Sequence, residues 1–220
     1  MWYNANMNNM VTFEKLHNDR RKFLVSYSGT DHIVIKGQNN VLISAPHGVS
    51  QVRLGKHKVA EIGSITTALY LKNNSNCYLI AKTTNNNDDA NFDDDSKYKD
   101  SIRNLIKTKN IKYIIDFHGL RATRSCDINL GIHLGKNIEN NVPLFDKLNN
   151  VLTSNNISVE IDQPFMAGSR TISGSMRNEF SHIWTIQIEL NCGISNRKEN
   201  FKKYQSILDI LLDWIQNIED

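Results

Sequence analysis

The sequence predicts a single α/β domain with a mixed, mostly parallel sheet flanked by helices. Short apolar, β-branched runs alternate along the chain with longer segments of helical periodicity. Three of these runs, at 41–48, 112–119 and 184–191, end in polar side chains: Pro46-His47-Gly48, Asp116-Phe117-His118-Gly119 and Glu189-Leu190-Asn191. Open α/β sheets place their chemistry at such strand ends. No internal repeat or linker interrupts the pattern, and 220 residues suit one generous domain.

Taken in order, residues 1–20 are polar and Asn-rich and read as an N-terminal arm or short helix ahead of a domain over 21–220. The runs 22–28 and 32–36 flank Gly29-Thr30-Asp31 and predict a β-hairpin. A strand over 41–45 is stopped by Pro46, because proline cannot continue a central strand. Val59, Ile62, Ile65 and Leu69 predict a helix over 58–72 with Glu61 in its first turn. Taken alone, Glu61 is a surface carboxylate facing a helix dipole. A strand follows at 77–81. The polar stretch 83–96 reads first as a solvated loop, with a calcium-like cluster or an active-site wall as alternatives. The glycine and closing glutamate of an EF-hand are missing from it. Asp95 or Ser96 caps a helix to 109. Then come strands at 112–117 and 127–134, a helix at 141–154, a short strand at 157–161 and a second long loop at 162–181. An apolar strand at 183–190 and a helix at 198–218 complete the chain.

Composition narrows the function classes. The chain is 40% hydrophobic, with a mean hydropathy of −0.44. It has no apolar run long enough to span a bilayer, and its first residues lack the basic start and apolar core of a signal peptide. Cys77, Cys126 and Cys192 are far apart and form no CxxC, so a reducing, cytoplasmic setting is expected. A net charge of +3 is too small to argue for nucleic acid. The expected partner is a small molecule, with neither nucleic acid nor membrane.

The strand ends carry the chemistry. A catalytic zinc takes three protein ligands and leaves a position open. His47, His118 and one carboxylate can supply them. Asp116 shares a strand face with His118 and is placed to fix the tautomer of a ligating imidazole. Glu189, ending an apolar strand, is the candidate proton carrier. A single histidine after a strand is more often structural than a ligand, and His17, His32, His57, His133 and His182 keep that reading, with His57, near His47, as a fallback ligand. No compact motif such as HExxH is present. Ser44, Ser64 and Ser173 lack a G-x-S-x-G context, and Cys192 has no evident histidine partner.

Ser44-Ala45-Pro46-His47-Gly48, Asp116-Phe117-His118-Gly119 and Gln187-Ile188-Glu189-Leu190-Asn191 resemble the N-formylglutamate amidohydrolase family, within the wider group of zinc carboxypeptidase-like amidohydrolases. The resemblance covers islands between about residues 41 and 195. It implies a phosphorylase/hydrolase-like α/β fold and a zinc ion held by His47, Glu61 and His118, with Glu189 as the catalytic carboxylate. Relatives often carry Asp, a spacer and Asn-Arg before the central strand. Here the run is Asp89-Ala90-Asn91-Phe92, so Asn91 is matched without its arginine. Ser50 stands where a carboxypeptidase His-x-x-Glu would put its glutamate. The implied substrate is an N-acyl amino acid, N-formylglutamate-like, or a small peptide. Asn91 contacts it, and Arg53 or Arg170 anchors its carboxylate through the bidentate guanidinium fork, with Arg103, Arg121, Arg124 and Arg177 as alternatives. The alternative is a non-catalytic metal- or ligand-binding protein with the same fold.

Overall fold

The computed structural model describes residues 11–218. The first half of the expected arm lies outside them. From Phe13 onward the chain is helical: α1 (Phe13–Ser26) starts at Thr12, whose side chain accepts the Lys15 N–H. The hairpin expected at 22–36 is therefore corrected. Residues 22–28 look β-like alone, but Leu16 and Phe23, seven apart, are the buried positions of one helical stripe. Only β1 (His32–Ile35) is a strand, and it pairs with β5 (Tyr78–Lys82).

The other expected elements form near their predicted positions. They are β2 (Val41–Ala45), α2 (Ile62–Asn74), α3 (Lys97–Lys109), β6 (Tyr113–Leu120), β7 (Ile128–Gly131), α4 (Val142–Ser154), β8 (Val159–Ile161), β9 (Trp184–Asn191) and α7 (Phe201–Gln216). Between β2 and α2 the chain makes a small unexpected hairpin, β3 (Gln51–Arg53) and β4 (Lys56–Lys58), turning on Leu54 and Gly55 at positive φ. This hairpin uses up the first residues expected in the helix, so Glu61 becomes the residue preceding α2. The loop expected at 162–181 contains α5 (Ile172–Glu179), capped by the Thr171 side chain on Gly174 N–H. A single turn, α6 (Cys192–Ser195), follows β9.

The sheet is a single α/β layer in the order β1-β5-β2-β6-β9-β7-β8. Pairs β5–β2, β2–β6, β6–β9 and β7–β8 are parallel, while β1–β5 and β9–β7 are antiparallel. Alternation along the strands splits the core in two. Val41, Ile43 and Ala45 join Ile115, Phe117, Ile186 and Ile188 under α1, α2, α4 and α7. Leu42, Ile80 and Ile114 face α3 and α5. On β9 the residues of this second face are Thr185, Gln187 and Glu189, all buried. The sheet is thus apolar through one face and polar, at its centre, on the other.

Tyr98 of α3 anchors the end of β2, just before His47. Its buried hydroxyl donates to Ile80 O at 2.8 Å and accepts the Ala45 N–H at 3.1 Å. Replacing Tyr98 by phenylalanine leaves both buried backbone groups without this partner. We expect a loss of about 1–3 kcal/mol of unfolding free energy, measured by chemical denaturation. An unchanged midpoint would show that other groups satisfy these atoms.

Candidate metal centre and active-site cavity

Strand register assembles the site. Ser44 pairs with Asp116 in parallel β2 and β6, so His47 and His118 emerge from the same end of neighbouring strands. In the next parallel pair His118 stands opposite Glu189. Glu61 comes from farther along the chain. Its N–H donates to His47 O at 2.9 Å, closing the excursion that carries β3 and β4. A spacing of fourteen residues in sequence becomes direct contact.

The contacts of the two imidazoles define the chemistry. His47 donates from Nε2 to Asp89 Oδ1 at 2.9 Å, and His118 from Nε2 to Asp116 Oδ2 at 3.0 Å. With both Nε2 atoms protonated, each Nδ1 carries a lone pair. The two Nδ1 atoms are 3.1 Å apart. Glu61 Oε1 is 2.9 Å from His47 Nδ1, and Glu61 Oε2 is 3.4 Å from His118 Nδ1. Three acceptors that face one another so closely need a cation between them. Zinc–nitrogen bonds of 2.0–2.1 Å put neighbouring tetrahedral ligand atoms ~3.3 Å apart, close to these separations. His47, Glu61 and His118 are the metal-competent cluster among the described residues.

The electrostatics agree with that reading. Burial works against a charged His47, but Glu61 and Asp89 outweigh it and raise its pKa. Burial likewise opposes a charged His118, and Asp116 with Glu61 pushes its pKa well above the ordinary value. Burial would raise Glu61 and Asp89, yet the neighbouring imidazoles hold both far below the carboxylate range. The site is built to hold positive charge. Glu189 behaves oppositely: burial lifts its carboxyl to about 7, near the working range of a proton carrier. Gln187 Nε2 donates to its Oε1 at 2.8 Å. Gly119 admits Glu61, because a Cβ there would stand 3.0 Å from Glu61 Cβ, and its N–H donates to Glu61 Oε2.

These groups line a cavity of about 310 Å³ together with Arg53, Lys58, Asn91 and the loop 164–168. The stretch 83–96, read first as a solvated loop, contributes Asn91 to the lining of this cavity. Asp89 is fully buried in it and Asn91 nearly so. Asp89, which orients His47, had no role assigned from sequence. Its signal was the Asp-x-Asn pattern, two residues before Asn91. Arg53 donates from Nε to Asp89 Oδ2 at 2.7 Å. Asn91 Oδ1 accepts the Ile172 N–H at the start of α5. Arg170 lies outside the cavity wall. It is exposed, pairs with Asp94 and stacks on Phe92.

No family model matches the sequence, and a search of curated proteins finds no match. Solved structures do match. A gene product of Agrobacterium tumefaciens superposes with a TM-score of 0.62 at 11% identity, over 87% of this chain and 97% of that one. N-formylglutamate amidohydrolase from Ralstonia eutropha JMP134 gives a TM-score of 0.55 at 10% identity, over 84% and 96%. The chain shares its fold with N-formylglutamate amidohydrolase. A bacteriophage poly-gamma-glutamate hydrolase gives a TM-score of 0.51 at 14% identity, over 85% and 89%. At these identities the likeness is one of fold, and the site stands on its own geometry. Among the described residues no helix is long and apolar enough to cross a membrane.

Lys99 ties together the two loops that flank the cavity. It is 1% exposed, and its ammonium donates to Asp93 O and Arg170 O, both at 2.8 Å. Burial lowers its pKa, as expected for a desolvated cation. Replacing Lys99 by methionine keeps much of the side-chain volume and removes both bonds. Amide exchange should then speed up roughly tenfold or more in 91–96 and 168–171, with β6 protected as before. Unchanged exchange in both loops would show that they are held by other contacts.

Proposed function

We propose that this chain is a zinc-dependent amidohydrolase that cleaves the amide bond of an N-acyl amino acid, N-formylglutamate-like, or of a small peptide. The observation that carries the reading is the convergence of His47 Nδ1, His118 Nδ1 and the Glu61 carboxylate beside a buried Glu189. Two of the proteins that share the fold are named as hydrolases of glutamate derivatives. Imidazole donors with one carboxylate suit zinc.

A zinc ion held by these three groups supplies polarisation of the amide carbonyl and activation of water near neutral pH. The chain does the rest. Asp89 and Asp116 hold the two rings in the tautomer that presents Nδ1 to the metal. Glu189 accepts the proton released as water adds to the carbonyl carbon. It delivers that proton to the leaving nitrogen as the C–N bond breaks, so the products are a carboxylic acid and an amine. Its lifted pKa suits it to both steps. Arg53 has its Nε engaged by Asp89, and its terminal nitrogens are left to receive a substrate carboxylate. Asn91 lines the same cavity, and with Oδ1 accepting from Ile172 N–H its Nδ2 is the group it would offer a substrate.

The test is metal content and turnover measured on the same preparations. Wild type should carry about one zinc per chain, as a three-ligand catalytic site implies. His47→Ala and His118→Ala should lose it without unfolding. Glu189→Gln should keep the metal, and its hydrolysis of N-formylglutamate and short γ-glutamyl peptides should fall by at least ~10²-fold. Absence of bound metal after zinc is supplied would leave the histidines structural and sink the proposal. Full turnover by Glu189→Gln would move the proton carrier elsewhere.

A further inference from the structure

Glu61 also lines a second and larger cavity, of about 680 Å³, to which Asn91 does not contribute. It adjoins the catalytic cavity, and Lys58, Glu61, Gly119 and Phe165 line both. The two therefore form one groove passing over the metal-competent cluster. The charge of the second half is one-sided. Lys58, Arg121 and Arg124 line it together with His57, and among the described residues Glu61 is the only acidic one in the lining. The Glu61 carboxylate is already engaged by His47, His118 and the Gly119 N–H.

Among the described residues four of the other arginines, Arg53, Arg103, Arg170 and Arg177, are neutralised by carboxylates, whereas Arg20, Arg21 and Arg197, like those here, form no ion pair. No ion pair is formed by Arg121, Arg124 or Lys58 among the described residues. Their lack of partners does not come from a loose backbone. Asn191 Nδ2 donates to Arg124 O and Cys126 O at 3.2 and 2.9 Å, which ties the 121–126 segment to the end of β9. A firmly placed loop thus presents unneutralised guanidinium groups to a groove that leads to the cluster.

We propose that this half of the groove is a second anion subsite, and that its occupant is an acidic peptide chain continuing past the bond to be cleaved. Guanidinium forks match carboxylates in a bidentate manner. A cavity of this size takes side chains rather than a lone small anion. The chain would be held by carboxylates on both sides of the centre, at Arg53 on one side and at Arg121, Arg124 and Lys58 on the other, so the bond presented is an internal one. The position of that bond rests on the proposed amidohydrolase reading, whereas binding in the subsite does not.

The two are separated by measuring binding without turnover. Fluorescence anisotropy of dye-labelled hexaglutamate is recorded on the full chain carrying Glu189→Gln, then with Arg121→Gln and Arg124→Gln added. Lys58→Gln serves as an independent variant, and thermal melts confirm folding. The parent should bind hexaglutamate and not hexaglutamine. Loss of both arginines, which are exposed, should weaken binding by roughly tenfold, as expected for two ion pairs at the surface. Lys58→Gln should weaken it less. Equal affinity of the double variant and the parent would overturn the subsite, as would equal binding of hexaglutamine. A hexathymidylate that binds as tightly as hexaglutamate would overturn the acidic-peptide assignment in favour of any polyanion. Metal content of these variants tests the amidohydrolase reading separately.

Discussion

Two imidazole nitrogens and a carboxylate are held closer together than their lone pairs tolerate without a cation, and much of the structure serves to keep them there. His47 and His118 cannot turn away, because each donates its other nitrogen to a buried aspartate. Glu61 cannot retreat, because its backbone is tied to His47 O and its carboxylate to Gly119 N–H. Such a cluster is expensive to bury unless positive charge completes it. The raised pKa values of both histidines express the same demand in terms of protons.

The sheet makes that arrangement rigid. β2, β6 and β9 lie side by side and parallel, so their C-terminal ends meet on one edge. Apolar residues fill one face of these strands beneath α2 and α7, which leaves the other face free to carry Asp116, His118, Gln187 and Glu189. Those polar groups are nearly water-free. Burial explains why Glu189 holds its proton to about 7, while Glu61, beside two imidazoles, gives its proton up readily. Two carboxyl groups in one cavity are driven apart in acidity by what each one touches.

The loops complete the site in a different way. The stretches 83–96 and 162–171 have few apolar residues to pack, and they are fastened by polar contacts: Lys99 to both, Asn91 to α5, and Arg53 to Asp89. Asp89 thereby links Arg53 and His47 through its two oxygens. The adjoining cavity is lined by Lys58, Arg121 and Arg124, and Glu61 is the acidic residue among its described lining residues.

Sequence alone determined the α/β class, most strand and helix positions, and the strand-end histidines and glutamate, because apolar period and strand termination are local properties. The alternation of β9 was legible too, with Thr185, Gln187 and Glu189 spaced between apolar residues. Residues 22–28 misled because seven residues of β-like composition weigh less than a fourteen-residue helix that packs on α2. Only the tertiary structure decided that Glu61 meets the histidines, that Asp89 orients one of them, that Arg53 rather than Arg170 reaches the cavity, and that Arg121 and Arg124 face a groove. Those facts depend on strand order and loop closure, which join residues far apart in the chain, and no local pattern of side chains encodes such a distance.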